Sequence, residues 1–329
     1  MRRRDFVAFL AGAAAAWPAR AQQPPQRARI AIVHPVIPAG QLDANAGIFY
    51  RHFFAELPRL GYVEGGNLKI ERYSAEGYPE RYADLAREVA GTKPDLIVAI
   101  TGALAKALSA ASDTIPIIAI DVDPIRSGLI ANLARPGGKL TGVSIDAGIE
   151  IFGKRLQILK EVIPSASRIG FFGARGEWQS AAGQVLRDAA GNLQIGLIDV
   201  SVADSTPADL RRVFAELSPA RLDAIVVGSF FLGYRQLIPG LADQARIPAI
   251  YPYRDFVEFG GLVAYGPTAA DIARQVAEQI SQVLHGVEAG AIPFYQPVKF
   301  EFVVNLKTAQ TLGLTIPPSL LARADEVIE

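Results

Sequence analysis

Several side chains that can bind small molecules stand directly after apolar runs that are typical of buried strands. In an open sheet of parallel strands, ligands sit beyond the carboxyl ends of the strands. These positions nominate the candidate ligand-binding residues, which are His34, Thr101, Gly102, Ala103, Asp121, Asp123, Arg175, Ser229, Phe230, Tyr251, Tyr253 and Tyr265.

The candidates from the first half of the chain are polar. Thr101 to Ala103 open a predicted helix, whose free N–H groups and hydroxyl could hold a ligand carboxylate. Alternatively, Thr101 only caps its own helix, and the two interpretations are compatible. Asp121 and Asp123 could bind a ligand ammonium. Because Asp123 precedes Pro124, it could instead shape a turn.

The candidates from the second half are mostly aromatic. Tyr251, Tyr253, Phe230 and Tyr265 could form flat walls against a ring-shaped ligand. Some of these rings could instead fill a hinge between domains. Arg175 could pair with a ligand carboxylate in bidentate fashion, or it could be a surface charge or part of an ion pair between the domains.

Signatures of catalysis are missing from the sequence. The chain has three histidines, none of them paired at metal-ligand spacing, and no cysteine. It contains no G-x-S-x-G elbow, no P-loop, and no G-x-G-x-x-G after the first strand. We therefore predict a protein that is not an enzyme, with no catalytic residues, no metal ion and no cofactor.

Apolar runs alternate with helical periodicity along the chain, which predicts an α/β fold with parallel sheets. The predicted strands are 29–34, 67–73, 95–100, 115–120, 168–172, 193–200, 223–227, 247–251, 261–265 and 298–304. The predicted helices are 46–60, 80–89, 104–111, 180–190, 208–217, 236–245, 269–285, 307–312 and 318–327.

The second half of the chain repeats the first. Residues 94–101 match 222–229, and residues 115–120 match 247–251, each time with the same order of strand, helix and strand. The repeat predicts two doubly wound parallel-sheet lobes joined by a multi-strand hinge. We predict one lobe at 28–142 plus 266–294 and the other at 143–265 plus 295–329. The chain would cross between them near Gly142, near 265–268 and near 294–297.

The first 21 residues have the three parts of a secretory signal. Three arginines precede a short apolar stretch, and Ala19-Arg20-Ala21 is a small-residue cleavage site. Arg3-Arg4 suggests the twin-arginine route. We predict export to the periplasm with cleavage after Ala21; a retained membrane anchor is the alternative. The remaining chain has no basic excess, which argues against a nucleic-acid partner.

An ordered set of short motifs resembles the substrate-binding proteins of ABC transporters, in their tryptophan/tyrosine-type branch. The motifs are 60–65 (LGYVEG), 75–77 (AEG), 123–124 (DP), 133–138 (LARPGG), 141–143 (TGV), 153–156 (GKRL), 305–309 (NLKTA), 312–313 (LG) and 316–317 (IP).

The resemblance implies a type I periplasmic binding fold, closure of a cleft over a small molecule, and delivery to a membrane permease. It also implies a monomer, but it does not fix the ligand; we expect an amino acid or an aromatic or organic acid. A ligand sensor for a membrane receptor, or an enzyme on the same scaffold, are the alternatives.

Overall fold

The computed structural model describes residues 27–145, 148–174, 176–203 and 206–329. The predicted signal segment and Arg175 lie outside these residues. The first of two sheets has five parallel strands in the order β2-β1-β3-β4-β5. Its strands are β1 (Ala28–His34), β2 (Leu68–Ser74), β3 (Leu96–Ile100), β4 (Ile117–Asp121) and β5 (Leu140–Ser144).

The second sheet has the order β12-β11-β10-β9-β8-β6-β7. Its strands are β6 (Arg168–Phe172), β7 (Gly196–Asp199), β8 (Ala224–Val227), β9 (Ala249–Tyr251), β10 (Val263–Pro267), β11 (Phe300–Asn305) and β12 (Glu326–Ile328). Strands β6 to β10 are parallel and repeat the order of β1 to β5, which confirms the internal repeat. Only β11, among the described strands, pairs antiparallel, with β10.

Helices cover both faces of each sheet, as predicted for a doubly wound fold. They are α1 (Ile48–Arg59), α2 (Tyr82–Thr92), α3 (Gly102–Ala111), α4 (Glu150–Val162), α5 (Ala181–Asn192), α6 (Pro207–Glu216), α7 (Ile238–Gln244), α8 (Arg254–Glu258), α9 (Ala269–Leu284), α10 (Leu306–Thr311) and α11 (Pro318–Leu321). On the first sheet, α1 and α9 bury one apolar cluster, and α2 and α3 bury another on the opposite face. The second sheet is covered likewise, by α4 and α5 on one face and by α6 to α8 on the other.

Several elements differ from the sequence prediction. β5, α4 and α8 were not predicted, and the predicted helix 318–327 is a single turn, α11, followed by β12. Residues Glu326–Ile328 pair with β11 because the backbone of β11 offers an open edge there, and the Asp325 carboxylate accepts the N–H of Phe302 at 2.7 Å. Tertiary pairing thus overrides the helical pattern of this segment.

Three segments of the chain connect the two lobes and form the hinge. One follows β5, which ends at Ser144, two residues beyond the predicted boundary; a second joins β10 to α9; the third contains Tyr295. The third segment is tied to β5, because the N–H of Tyr295 donates to the Gly142 carbonyl at 2.8 Å. The Tyr295 hydroxyl also donates to Asp271 of α9, so the second and third segments are joined.

Candidate binding cleft

A cavity of about 170 Å³ lies between the carboxyl ends of the strands of the two sheets. Its walls are mainly apolar, and both lobes contribute to them. The apolar side chains include Val36, Ile37, Phe49, Ile100, Ile120, Val122, Ile145, Phe230, Leu232, Pro267 and Ile272. Ligand sites in proteins usually have this composition, with a few polar groups that fix the ligand's orientation.

His34, Thr101 and Asp121 line the cavity from the first lobe, and they end three neighbouring strands, β1, β3 and β4. The imidazole of His34 accepts the N–H groups of Val36 and Ile37 at Nδ1, over 2.9 and 2.7 Å. The proton of the neutral ring is therefore on Nε2. Burial, and then the charge of Arg235, lower the pKa of His34 to about 3, so the ring is uncharged at neutral pH.

Thr101 combines a hydrogen bond with backbone strain. Its hydroxyl accepts the N–H of Leu104 at 3.4 Å, so it caps α3 as well as lining the cavity. Its φ angle is 101° and its ψ angle 144°, a region that β-branched residues rarely occupy. Such strain is concentrated at functional sites.

Replacing Thr101 with glycine is expected to raise the free energy of unfolding of the ligand-free protein by about 1 kcal/mol. The relieved strain, about 1–3 kcal/mol, exceeds the entropic cost of glycine and the loss of the cap. The measurement is urea denaturation. Thr101→Ala is the control, because it keeps the strain and loses the hydroxyl; an alanine variant as stable as the glycine variant would contradict the argument.

Gly102 lies behind the cavity wall and lets Asp121 approach α3. A Cβ at Gly102 would lie 2.3 Å from Oδ2 of Asp121. The same carboxylate accepts the Ser127 hydroxyl at 2.6 Å and the N–H of Val122 at 2.8 Å. Asp121 is thus a fixed part of the wall, and Gly102 supports it.

Ser229, Phe230 and Tyr253 line the cavity from the second lobe. Ser229 is held from behind by Arg155 of α4, a fully buried arginine whose Nη1 donates to the Ser229 hydroxyl at 3.1 Å. Arg155 also donates to the carbonyls of Tyr265, at 2.9 Å, and Pro252, at 3.4 Å. One side chain therefore positions three segments of the second lobe around the cleft.

Besides Gly102, four described candidates do not line this cavity. Ala103 is exposed on α3. Asp123 borders a neighbouring cavity of about 80 Å³ and accepts the N–H of Arg126, as the turn interpretation predicts. Tyr251 is buried and stacks on Phe256, with ring centroids 5.1 Å apart. Tyr265 lies within β10 and stacks on Phe300. The two tyrosine rings are used for packing within the second lobe.

The cavity also contains residues that were not among the sequence candidates, chiefly Phe49, Tyr50, Arg235, Asp255 and Glu301. Phe49 and Tyr50 belong to the first turn of α1, which follows the loop after β1. The cluster of aromatic residues in 49–54 was the available signal for them. Helical periodicity alone assigns such residues to the core.

Arg235 and Asp255 of the second lobe hold the start of α1 in the first lobe. The guanidinium of Arg235 donates to the Ala46 carbonyl, and Asp255 accepts the N–H of Ile48. Gly47 permits this approach, because a Cβ there would lie 3.2 Å from Nη2 of Arg235. These contacts join the two lobes at one side of the cleft.

Charges around the cleft are largely balanced. Asp255 lies 3.8 Å from Nε of Arg235, and burial raises the pKa of Asp255 to about 6 although Arg235 opposes the shift. Arg254 forms ion pairs with Glu301, Glu258 and Glu326 at 3.4, 3.4 and 2.7 Å. The positive charge of Arg254 is thus paired with carboxylates of the second lobe.

Within the described part of the chain, no helix is long and apolar enough to cross a membrane. No group of three or more metal-ligating side chains is found among the same residues.

Residues 30–328 match the family described as ABC transporter substrate binding protein. A curated relative, the tyrosine-binding protein of Clostridioides difficile (strain R20291), is 27% identical over 267 residues, which cover 80% of this chain and 75% of the relative.

Solved structures share the fold. A conserved domain protein from Vibrio cholerae is 28% identical, with a TM-score of 0.79, and the match covers 91% of this chain and 99% of that one. The ABC domain from Streptococcus pneumonia in complex with L-Trp is 24% identical, with a TM-score of 0.77, over 92% of this chain and 100% of that one.

Proposed function

Because the chain belongs to the ABC transporter substrate-binding protein family, we propose that it captures an amino acid with a large apolar side chain and delivers it to an ABC importer. The ligand is bound in the cleft between the lobes and leaves it unchanged. The protein works as a monomer in the periplasm, after removal of the first 21 residues. The boundaries of its lobes lie in the three connecting segments.

The observation that carries this proposal is the composition of the cleft. Apolar walls from both lobes surround the space, and the Thr101 hydroxyl, which lines it, can donate to a ligand carboxylate. Phe49 and Phe230 offer rings against which a flat side chain can pack. Relatives described as binding tyrosine and L-Trp support the same class of ligand.

The proposal predicts that L-tyrosine, L-tryptophan or L-phenylalanine raises the thermal unfolding midpoint of the protein, whereas D-glucose does not. A ligand that binds only the folded state stabilises it by RT ln(1 + [L]/Kd), about 2.7 kcal/mol at a concentration of 100 Kd. Calorimetry gives the affinity, and mass spectrometry shows whether the ligand is recovered intact. A sugar that stabilises while the amino acids do not, or a converted product, would contradict the proposal.

A further inference from the structure

In one part of the cleft wall, the hydroxyl of Tyr50 and Nε of Arg235 are buried without a hydrogen-bond partner. The hydrogen bonds of His34 among the described residues likewise leave its Nε2 unused. His34 uses only Nδ1 in its hydrogen bonds, and Nε of Arg235 is 3.8 Å from the nearest carboxylate oxygen of Asp255, beyond hydrogen-bond distance. The side chains that carry these groups are all at least nine-tenths buried, with relative exposures of 6%, 6% and 9%.

These groups lie in one part of the wall. The rings of His34 and Tyr50 have centroids 6.2 Å apart. Burial is the main cause of the shifted pKa of each, lowered for His34 and raised for Tyr50, and the nearby charge of Arg235 lowers both. Buried polar groups almost always have a hydrogen-bond partner, so a cluster of three orphans beside a cavity points to a partner inside the cavity.

The charges in this cluster define the kind of partner. Asp255 offsets the charge of Arg235, and His34 and Tyr50 are uncharged at neutral pH. The cluster therefore offers donors without a net positive charge, which suits an uncharged oxygen better than an anion. The Thr101 hydroxyl follows a different strand, β3, and can donate to the ligand carboxylate.

We infer that His34, Tyr50 and Arg235 form a polar subsite that binds an uncharged oxygen, a hydroxyl or a carbonyl, on the otherwise apolar side chain of the ligand. The inference rests on the proposed function and makes these residues determinants of its specificity. A site built to bond a hydroxyl discriminates strongly against an analogue that lacks it, because its own buried groups then stay unpaired.

The test is calorimetric titration of the full chain with L-tyrosine and L-phenylalanine, which differ by one hydroxyl. The wild type is expected to prefer tyrosine by at least about tenfold. Tyr50→Phe and His34→Asn are each expected to lower the ratio of tyrosine affinity to phenylalanine affinity by about tenfold. In His34→Asn the side-chain oxygen can replace Nδ1 as the acceptor for the loop, while the Nε2 donor is lost.

Tyr62→Phe is the matched control. It removes the hydroxyl of a buried tyrosine remote from the cleft, whose partner is His285 at 3.4 Å. This variant should keep the wild-type preference for tyrosine. Tyr50→Phe should also raise the unfolding midpoint of the ligand-free protein, since it removes an unpaired buried hydroxyl, whereas Tyr62→Phe should not.

The outcomes separate the subsite from the proposed function. Equal affinities of the wild type for the two amino acids, or an unchanged preference in both cleft variants, would overturn the subsite and leave the proposed function standing. Failure of the wild type to bind tyrosine and phenylalanine while tryptophan binds would overturn the subsite alone, and failure to bind any of the three would overturn both. A lowered preference in Tyr50→Phe and His34→Asn, but not in Tyr62→Phe, supports the subsite.

Discussion

Arg155→Ala is expected to lower the free energy of unfolding by about 4 kcal/mol, the largest effect of any single substitution considered for this chain. Arg155 is fully buried, donates to Ser229 and to the carbonyls of Tyr265 and Pro252, and lies over the ring of Phe152 with its Cζ 5.4 Å from the centroid. Removing the guanidinium takes a buried donor from these three acceptors, at a cost of roughly 1–3 kcal/mol for each acceptor left unpaired.

Thermal and urea denaturation of the ligand-free protein provide the measurement. Gln157→Ala is the control, since Gln157 is exposed on the same helix and its replacement should change stability by less than about 0.5 kcal/mol. Arg155→Lys should recover only part of the loss, because an ammonium group cannot reach three acceptors in the geometry of a guanidinium. An Arg155→Ala protein as stable as Gln157→Ala would contradict this account of the second lobe.

Acid is expected to destabilise the wild type through His34 by about 2–3 kcal/mol between pH 7.5 and pH 4.5. The pKa of His34 is about 3 in the folded protein, against 6.5 for an unperturbed histidine side chain. The unfolded chain therefore binds a proton that the folded protein does not. The loss begins as the pH falls below about 6.5 and grows by about 1.4 kcal/mol per pH unit until about pH 3.

The contribution of His34 is measured as the stability difference between the wild type and His34→Asn at each pH. The difference should shift by about 2–3 kcal/mol in favour of the variant as the pH falls to 4.5. Asp255 acts in the opposite direction, because its pKa is raised to about 6 and the folded protein takes up the proton first. Asp255→Asn should therefore lose stability relative to the wild type over the same interval. A pH-independent difference for His34→Asn would show that the ring is not buried in its neutral form.

Much of the fold could be predicted because its signals are local. The apolar runs at β3 and β8, and the Ile-Pro pairs that precede β4 and β9, define the repeat, and the two sheets have the order that it implies. The short-motif resemblance was confirmed by the family match over residues 30–328. By contrast, β12 depends on an open edge of β11, far away in the sequence, and its own residues carry no strand signal strong enough to predict it.

The residues of the candidate cleft could be predicted in part. The rule that ligands sit beyond strand ends nominated twelve residues. Six of them line the cavity, namely His34, Thr101, Asp121, Ser229, Phe230 and Tyr253, and five other described candidates do not. The rule identifies loops but not side chains that reach the cavity from a neighbouring helix, and so it missed Tyr50. Arg235 was missed because its role depends on the backbone at the start of α1, 189 positions away, which only folding brings into contact.

The two lobes repeat one strand order, and both present strand ends to the cleft. Two identical lobes would present the same environment to both sides of a ligand, and the ligand could bind in either of two equivalent orientations. Here the residues of the two lobes differ. The first lobe lines the cleft with His34, Thr101 and Asp121, whereas the second lines it with Ser229, Tyr253, Arg235 and Asp255. The two lobes thus share a fold but line the cleft with different residues, and the cleft can bind a chiral ligand in one orientation and as one enantiomer.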